Sequence, residues 1–357
     1  MKTYIKFLLN LFFNSFWKIF LIFFGIIFII NVIEQIEFFK NIDINFMFPI
    51  FLSFLNTPSI LFELLPFIFL ISTQVFFIRL IDNHELEIFK YSGLNNIKIL
   101  KILTLISFVF GLFFIIFFYN IASLLKGDYL EFKNKYSNDN KYLAVITKNG
   151  LWMKDIINGK TNIINANNVN ENFLTDVLIV QFDKDFKLIQ TIQSEKININ
   201  TNQWKIFNPT ISKENTSIIM DEVIFKSNFD LKKINSLFSN LSSLTVIDLF
   251  KLKKSYQSLS YSLIEIDSHI YKIISYPFYL TLITILISII MFSIGYRKNT
   301  LFKIVIGIFL SVIIYYINNF FNVLGTSEKI PLLLSIWFPL FILLTINITF
   351  ILRLNEK

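Results

Sequence analysis

The residues able to carry chemistry are few and scattered. Asn158-Gly159-Lys160-Thr161 ends like a phosphate-binding loop, but such a loop needs a glycine at position 154, where Lys154 stands. Strand-like runs flank it rather than a strand and a helix, so the stretch reads as a hairpin turn. His84 and His269 are the only histidines, and they fall near opposite faces of the apolar part of the chain. They form no common site, and each reads as a surface or interface residue. Residues 123–268 hold 18 Lys against 16 Asp and Glu, interleaved as on a solvated surface. There is no cysteine, which excludes disulfides and thiolate metal sites. These features predict no catalytic residue, no metal site and no cofactor, and they favour a binding or conduit role over catalysis.

The elements that position these residues are mostly apolar. Hydrophobic residues make up 54% of 357, with 44 Phe. Six runs, at 15–38, 56–80, 99–123, 273–296, 301–322 and 331–353, are each long enough to cross a bilayer as a helix. Lys2 and Lys6 precede the first, but its apolar run is too long for a signal peptide and no small-residue cleavage site follows. The formal charge of +8 lies mostly outside the polar block. Lys2, Lys6, Arg79, Lys90, Lys98, Lys101, Arg297, Lys298, Lys303, Arg353 and Lys357 all fall on one side if six spans alternate. Short basic loops stay cytoplasmic, so both termini are expected inside and the polar block outside. The basic balance is a topogenic signal and gives no reason to invoke nucleic acid.

The polar block reads as β structure. Tyr142–Thr147 runs into Asn149-Gly150, and Leu151–Ile157 runs into Asn158-Gly159, two hairpin turns in succession. Further strand-like runs at Asp176–Phe182, Phe186–Ile192, Lys196–Asn200, Gln203–Phe207 and Ser217–Phe225 predict an antiparallel sandwich or roll. Val246, Leu249, Leu252, Tyr256 and Leu259 then recur at steps of three and four. They predict an amphipathic helix that either lies on the membrane surface or links the block to span four.

Three places break the apolar pattern. Between spans two and three, Asp82 and Glu85 have capping-box spacing, Leu86 and Phe89 share one helical face, and Gly93 suits a left-handed helix end. A short helix follows, either a plain connection or a lever for a cytoplasmic partner. After span five, Asn322–Pro331 leads into Leu332–Pro339, with Pro331 at a helix start and Thr326 or Ser327 as a cap. Within and beside the spans, Glu63, Pro66, Pro277 and Pro339 imply kinks, and Glu63 faces either lipid or a wet cavity. Glu34, Glu37, Lys40 and Asp43 crowd the end of span one, as interfacial decoration or as the rim of an access path for a charged amphiphile.

Taken together, three spans, an extracytoplasmic β block and three spans resemble the LptF/LptG permease family of the lipopolysaccharide export transporter, over essentially the whole chain. Leu64-Leu65-Pro66 resembles its leucine-proline step, and Glu85-Leu86 through Phe89 to Gly93 its coupling helix. Tyr276-Pro277 resembles its start of span four. Leu324-Gly325 through Pro331, with Trp337-Phe338-Pro339, is similar to the LptG version of the last loop and span, and Leu151–Asp155 to a tryptophan-bearing strand. Where the family tends to place basic residues that meet lipid phosphates, this chain has Glu34 and Glu37, with Lys40 beside them.

The resemblance implies a membrane α-helical fold of six transmembrane helices, 3+3, with an inserted all-β jellyroll-like domain. Its parts are helices one to three with the coupling helix near 82–93 (1–123), a periplasmic β domain (124–243), a linker helix (244–272) and helices four to six (273–357). It further implies a permease half in the bacterial inner membrane that passes lipopolysaccharide upward. Its partners are an LptF-like permease subunit, an LptB-like ATPase dimer and an LptC-like bridge component, and spans one and five form lateral gates. Glu85, Leu86, Phe89 and Gly93 couple to the ATPase, Glu34, Lys40, Glu63 and Pro66 line the lipid path or gate, and Gly325, Pro331, Trp337 and Pro339 mark the last span. Two other readings remain: a membrane-anchored enzyme acting on lipid or cell-wall precursors, and a sensor that couples an outer ligand to an inner partner.

Overall fold

In a bilayer an apolar run must satisfy its own backbone, and six helices here are long and apolar enough to cross one. The computed structural model describes residues 3–42, 44–136, 151–157, 159–170, 172–213, 216–231, 234, 240–258, 262–294 and 300–355. The spanning helices are α1 (Thr3–Phe38), α2 (Met47–Asp82), α4 (Asn96–Phe113) running through a π-helical stretch into α5 (Asn120–Asn134), α7 (Ile264–Ile294), α8 (Thr300–Thr326) and α9 (Leu332–Asn355). Between α2 and α4 lies the short α3 (Glu85–Tyr91), and α6 is Val246–Ser258. Several spans outrun their apolar windows: span one starts at Thr3, span three continues to Asn134, and span four starts at Ile264 inside the expected linker. Hydropathy measures the apolar slab, whereas a helix continues as long as its backbone bonds do.

The chain divides into two units, 1–126 with 264–357, and 127–263. In the first, α2 and α7 are central: 72% of the apolar window of α2 is buried, against 22% for α1 and 17% for α8. Phenylalanine fills the centre. Phe16 lies 5.2 Å from Phe69 and 5.4 Å from Phe110 between ring centroids, and Phe12 lies 6.0 Å from Phe76. Small residues set the closest approach of α4 and α7. A Cβ at Gly111 would lie 2.7 Å from Pro277 Cα, and four residues away Ser107 Oγ donates to Thr284 Oγ1 at 3.0 Å.

The second unit holds one antiparallel eight-stranded sheet, inserted between the third and fourth spans. Its strands are β1 (Leu151–Ile157), β2 (Lys160–Asn170), β3 (Phe173–Phe182), β4 (Leu188–Asn198), β5 (Gln203–Phe207), β6 (Thr210–Lys213), β7 (Thr216–Ile219) and β8 (Glu222–Lys226). The order is β1-β2-β3-β4-β5-β8, with β6 on β4 and β7 on β6. Ile157 pairs with Lys160 and Gly159 has φ +75°, so Gly159-Lys160-Thr161 belongs to the expected hairpin. The Tyr142–Thr147 strand and its Asn149-Gly150 turn lie outside the described residues.

Two expected strands, Phe186–Ile192 and Lys196–Asn200, are one strand, β4. The polar Gln193–Lys196 interval looks like a break, but Ser194 faces inward and donates to the Phe207 and Lys196 carbonyls at 2.6 and 3.0 Å. Conversely, Ser217–Phe225 splits into β7 and β8. Inward residues of alternate positions, among them Met153, Ile164, Ile179, Ile192 and Trp204, are buried, and Trp204 Nε1 donates to the Phe229 carbonyl at 2.8 Å.

The sheet ends β1 and β8 are joined through side chains. Asp155 of β1 is fully buried, and its carboxylate accepts from Ser227 Oγ at 2.8 Å, Asn228 N at 3.1 Å and Asn228 Nδ2 at 2.8 Å. After the sheet, Thr245 and Asp248 cap α6, with Thr245 Oγ1 donating to the carboxylate at 2.7 Å and accepting from Asp248 N. That hydroxyl, with Lys251 next, holds the Asp248 carboxyl below its ordinary value. Leu249 and Leu252 are buried as the periodicity predicts.

Two tests follow from this packing. Gly111→Ala should lower the melting temperature of the purified chain, because even a methyl forces α4 and α7 apart at a cost of about 1–3 kcal/mol. An unchanged transition would remove this approach as a constraint. Asn228→Ala, which strips hydrogen bonds from a buried carboxylate, should destabilise the sheet end by about 1.5–3 kcal/mol. Faster amide exchange confined to β1 would show it, and equal exchange would count against the clasp.

Candidate functional site

The α2–α3 connection turns on His84, which takes a left-handed conformation at φ +58° before α3 begins. The expected capping box does not form: no side chain caps α3, and Asp82 instead lies 3.9 Å from Lys303 Nζ of α8. A cap needs an extended backbone at the cap position, and the left-handed joint at His84 precludes it. The other end matches expectation. Gly93 has φ +80°, Gly93 N donates to the Lys90 carbonyl and Leu94 N to the Phe89 carbonyl, closing the helix in a Schellman turn.

Leu86 is 2% exposed and Phe89 packs on the bundle core, with its ring 5.8 Å from Phe7 of α1. These two residues therefore anchor α3 to its own chain. The outward residues are Ile88 and Tyr91, 59% and 89% exposed. Glu85 Oε2 is shut away from solvent with no hydrogen-bond partner among the described residues.

At the other end of the bundle a polar row crosses four spans. Asn31 of α1 donates to the Ile27 carbonyl and accepts from Asn56 Nδ2 of α2 at 2.7 Å; Asn56 Oδ1 accepts from Lys126 Nζ of α5 at 2.5 Å. The charges of Lys126 and of Lys272 on α7 act on Glu63, and Glu34 acts on Lys126. Glu63 itself is exposed. Lys40 is exposed in the turn beyond α1. Next to Lys272 on the same helical face, His269 Nε2 and Tyr119 OH share a hydrogen bond at 2.9 Å, so His269 is an interface residue. His84, by contrast, is a surface residue beside Glu87.

The prolines explain why Tyr276 follows on that face. Pro66 has no N–H to offer the carbonyl of Phe62, and the Tyr276 hydroxyl donates to that oxygen at 2.5 Å. The Phe62 and Tyr276 rings stack at 4.7 Å. Pro66 itself is buried, and its contribution here is the freed carbonyl of Phe62.

The last loop is also a packing device. A Cβ at Gly325 would collide with the Ser335 side chain, so Gly325 lets α8 and α9 meet. Pro331 immediately precedes α9, and its carbonyl accepts from Ser335 N at 3.1 Å. Thr326 and Ser327 do not cap α9, because their hydroxyls donate back to carbonyls of α8. Trp337 packs 5.7 Å from Phe278, one turn before Leu340 enters the core, and Pro339 lies inside α9.

Residues 6–353 match the family model of the lipopolysaccharide export system permease LptF/LptG. The chain belongs to the LptF/LptG family. No curated protein matches it. Six apolar helices with an antiparallel β sheet inserted between the third and fourth are the LptF/LptG architecture, and the chain is a multi-pass membrane protein.

Within this LptF/LptG chain, two stretches read separately from sequence are linked through Phe62, whose carbonyl Pro66 leaves free and Tyr276 takes up. The cations were missed. Lys126 stood beyond the expected end of span three and Lys272 just before the expected start of span four, so both were counted with water-facing segments. Asn31 and Asn56 were visible as polar residues inside apolar runs and could have flagged the row. If Tyr276 completes the Pro66 break, Tyr276→Phe should cost about 1–3 kcal/mol by stranding a buried carbonyl. Faster amide exchange near Phe62 with the fold retained is the expected readout, and unaltered exchange would show that the hydroxyl is dispensable.

Proposed function

We propose that this chain is the LptG-type half of a lipopolysaccharide export permease in the bacterial inner membrane. In this reading both termini are cytoplasmic and the β domain is periplasmic. It pairs with an LptF-like subunit, is driven by an LptB-like ATPase dimer, and hands lipopolysaccharide to an LptC-like bridge leading to the outer membrane. The observation that carries the proposal is α3: a short helix rooted in the bundle by Leu86 and Phe89, closed by Gly93, and offering Ile88 and Tyr91 outward. An aromatic and an aliphatic anchor on one rigid turn is what a subunit interface needs. The basic residues Arg79, Lys90, Lys98 and Lys101 around it favour a cytoplasmic position. The Trp337-Phe338-Pro339 stretch favours the LptG type.

At the opposite end, Lys126 and Lys272 supply the cationic character that Glu34 and Glu37 seemed to deny the lipid path. Together with Glu34, Glu63 and Lys40 they offer both signs of charge to a phosphorylated head group, and Pro66 shapes α2 behind them. Spans one and five, the least buried of the six, form the lateral gates. Each CH₂ moved out of an apolar cavity into water costs about 0.8 kcal/mol, so expelling several acyl chains needs work from ATP.

The test is co-purification with the neighbouring transport subunits. Tyr91→Ala should weaken ATPase association by about tenfold or more, roughly 1.4 kcal/mol for a central aromatic contact. Glu85→Ala should uncouple hydrolysis from lipid transfer while the β domain stays folded, since Glu85 Oε2 contributes no bond to the fold. Full association and transport in both variants would sink the docking role of α3.

A further inference from the structure

At the α3 end of the bundle, two polar contacts fasten α8 to α2. Gln74 Nε2 donates to the backbone carbonyl of Lys303, and the Gln74 amide occupies the space that a side chain at Gly307 would need. Two turns further along α2, Asp82 is 3.9 Å from Lys303 Nζ. The Lys303 side chain is 2% exposed and that of Asp82 half exposed, so the contact joins a buried lysine to a carboxylate at the bundle surface. Gln74 Oε1 is buried without a partner among the described residues, and so the joint is incompletely satisfied.

The rest of α8 is attached differently. Toward its far end Asn322 accepts from Ser268 at 3.1 Å and the Tyr315 ring lies 5.6 Å from Phe67. Between, Val305, Phe309, Tyr316 and Phe320 form one apolar face that is more than 60% exposed at each residue. At its α3 end α8 is thus fastened to α2 through the buried Lys303 and the Gln74 contact, while one face along its length stays open. Asp82 is also the last residue of α2, so only Asn83 and His84 separate it from α3.

We propose that Gln74, Asp82, Lys303 and Gly307 form the joint through which a movement of α3 is delivered to α8. The proposal rests on α3 receiving its movement from an ATPase subunit, as argued above. Glu85 belongs to the input, whereas these four residues make the output: when α3 tilts, Asp82 carries Lys303 with it, and the Gln74–Gly307 contact above it is the fulcrum.

The natural sequence has no cysteine, so Tyr316→Cys places a single reporter of this chain on the open face of α8. The complex would be co-purified with its permease and ATPase partners and placed in liposomes containing lipopolysaccharide. Maleimide labelling of this chain would be compared without nucleotide and with ATP and vanadate. The expected result is a several-fold nucleotide-dependent change in labelling rate that is lost in Lys303→Asp and in Gly307→Ala, with ATP hydrolysis retained. The exchanged pair Asp82→Lys with Lys303→Asp should bring the change back. Persistence of the change in both single variants overturns the proposal. So does a loss that the exchanged pair fails to repair, since general damage to the bundle gives that pattern. If the ATPase does not co-purify with the Tyr316→Cys chain, the coupling role of α3 fails and the joint with it; ATPase binding with unresponsive labelling fails the joint alone.

Discussion

A backbone carbonyl left without a donor inside a bilayer has no water to turn to, and much of this bundle is arranged around that constraint. Pro66 breaks the bond that Phe62 would have received, and a residue from a helix distant in sequence, Tyr276, replaces it. The replacement fixes the rotation of α7 against α2, because only one face of α7 carries the hydroxyl. Pro277, the next residue, then meets Gly111 with no side chain between, and α4 is set against α7 in turn. A single missing N–H thus orders three spans, and it does so in the two helices that are buried most deeply.

The same face of α7 carries His269 and Lys272, so the rotation that satisfies Phe62 also delivers a cation toward Glu63 and an imidazole to Tyr119. Charge in the membrane is costly unless partnered. The row from Asn31 through Asn56 and Lys126 shows how the cost is met, with amides passing hydrogen bonds from one span to the next. Architecture and polarity are therefore not separate features of this end of the molecule.

The sequence made the six spans legible because length and hydropathy are local properties. The Gly93 helix end and the hairpin turn at Gly159 were legible for the same reason, each depending on the backbone freedom of one glycine. What failed was information held between elements. Asp82 has the spacing of a capping partner for Glu85, yet it serves Lys303, which lies over 200 residues further along the chain. The anchoring and outward residues of α3 could not be told apart from a single turn of helix. Lys126 and Lys272 were hidden because the ends of apolar runs are not the ends of helices. β4 looked broken because the partner of Ser194 is a carbonyl on another strand.

The closure of the β sheet has a consequence for the order of events during folding. β1 through β4 are joined to their sequence neighbours by short turns and can zip together as they emerge. Among the described residues, the carboxylate of Asp155 is held by Ser227 and Asn228, 72 and 73 residues later. Contacts of such sequence separation form late, after the entropy of a long loop has been overcome. Until then the β1 end of the sheet lacks the side-chain clasp that fastens it to the chain after β8, and β1 is the strand whose attachment is completed last.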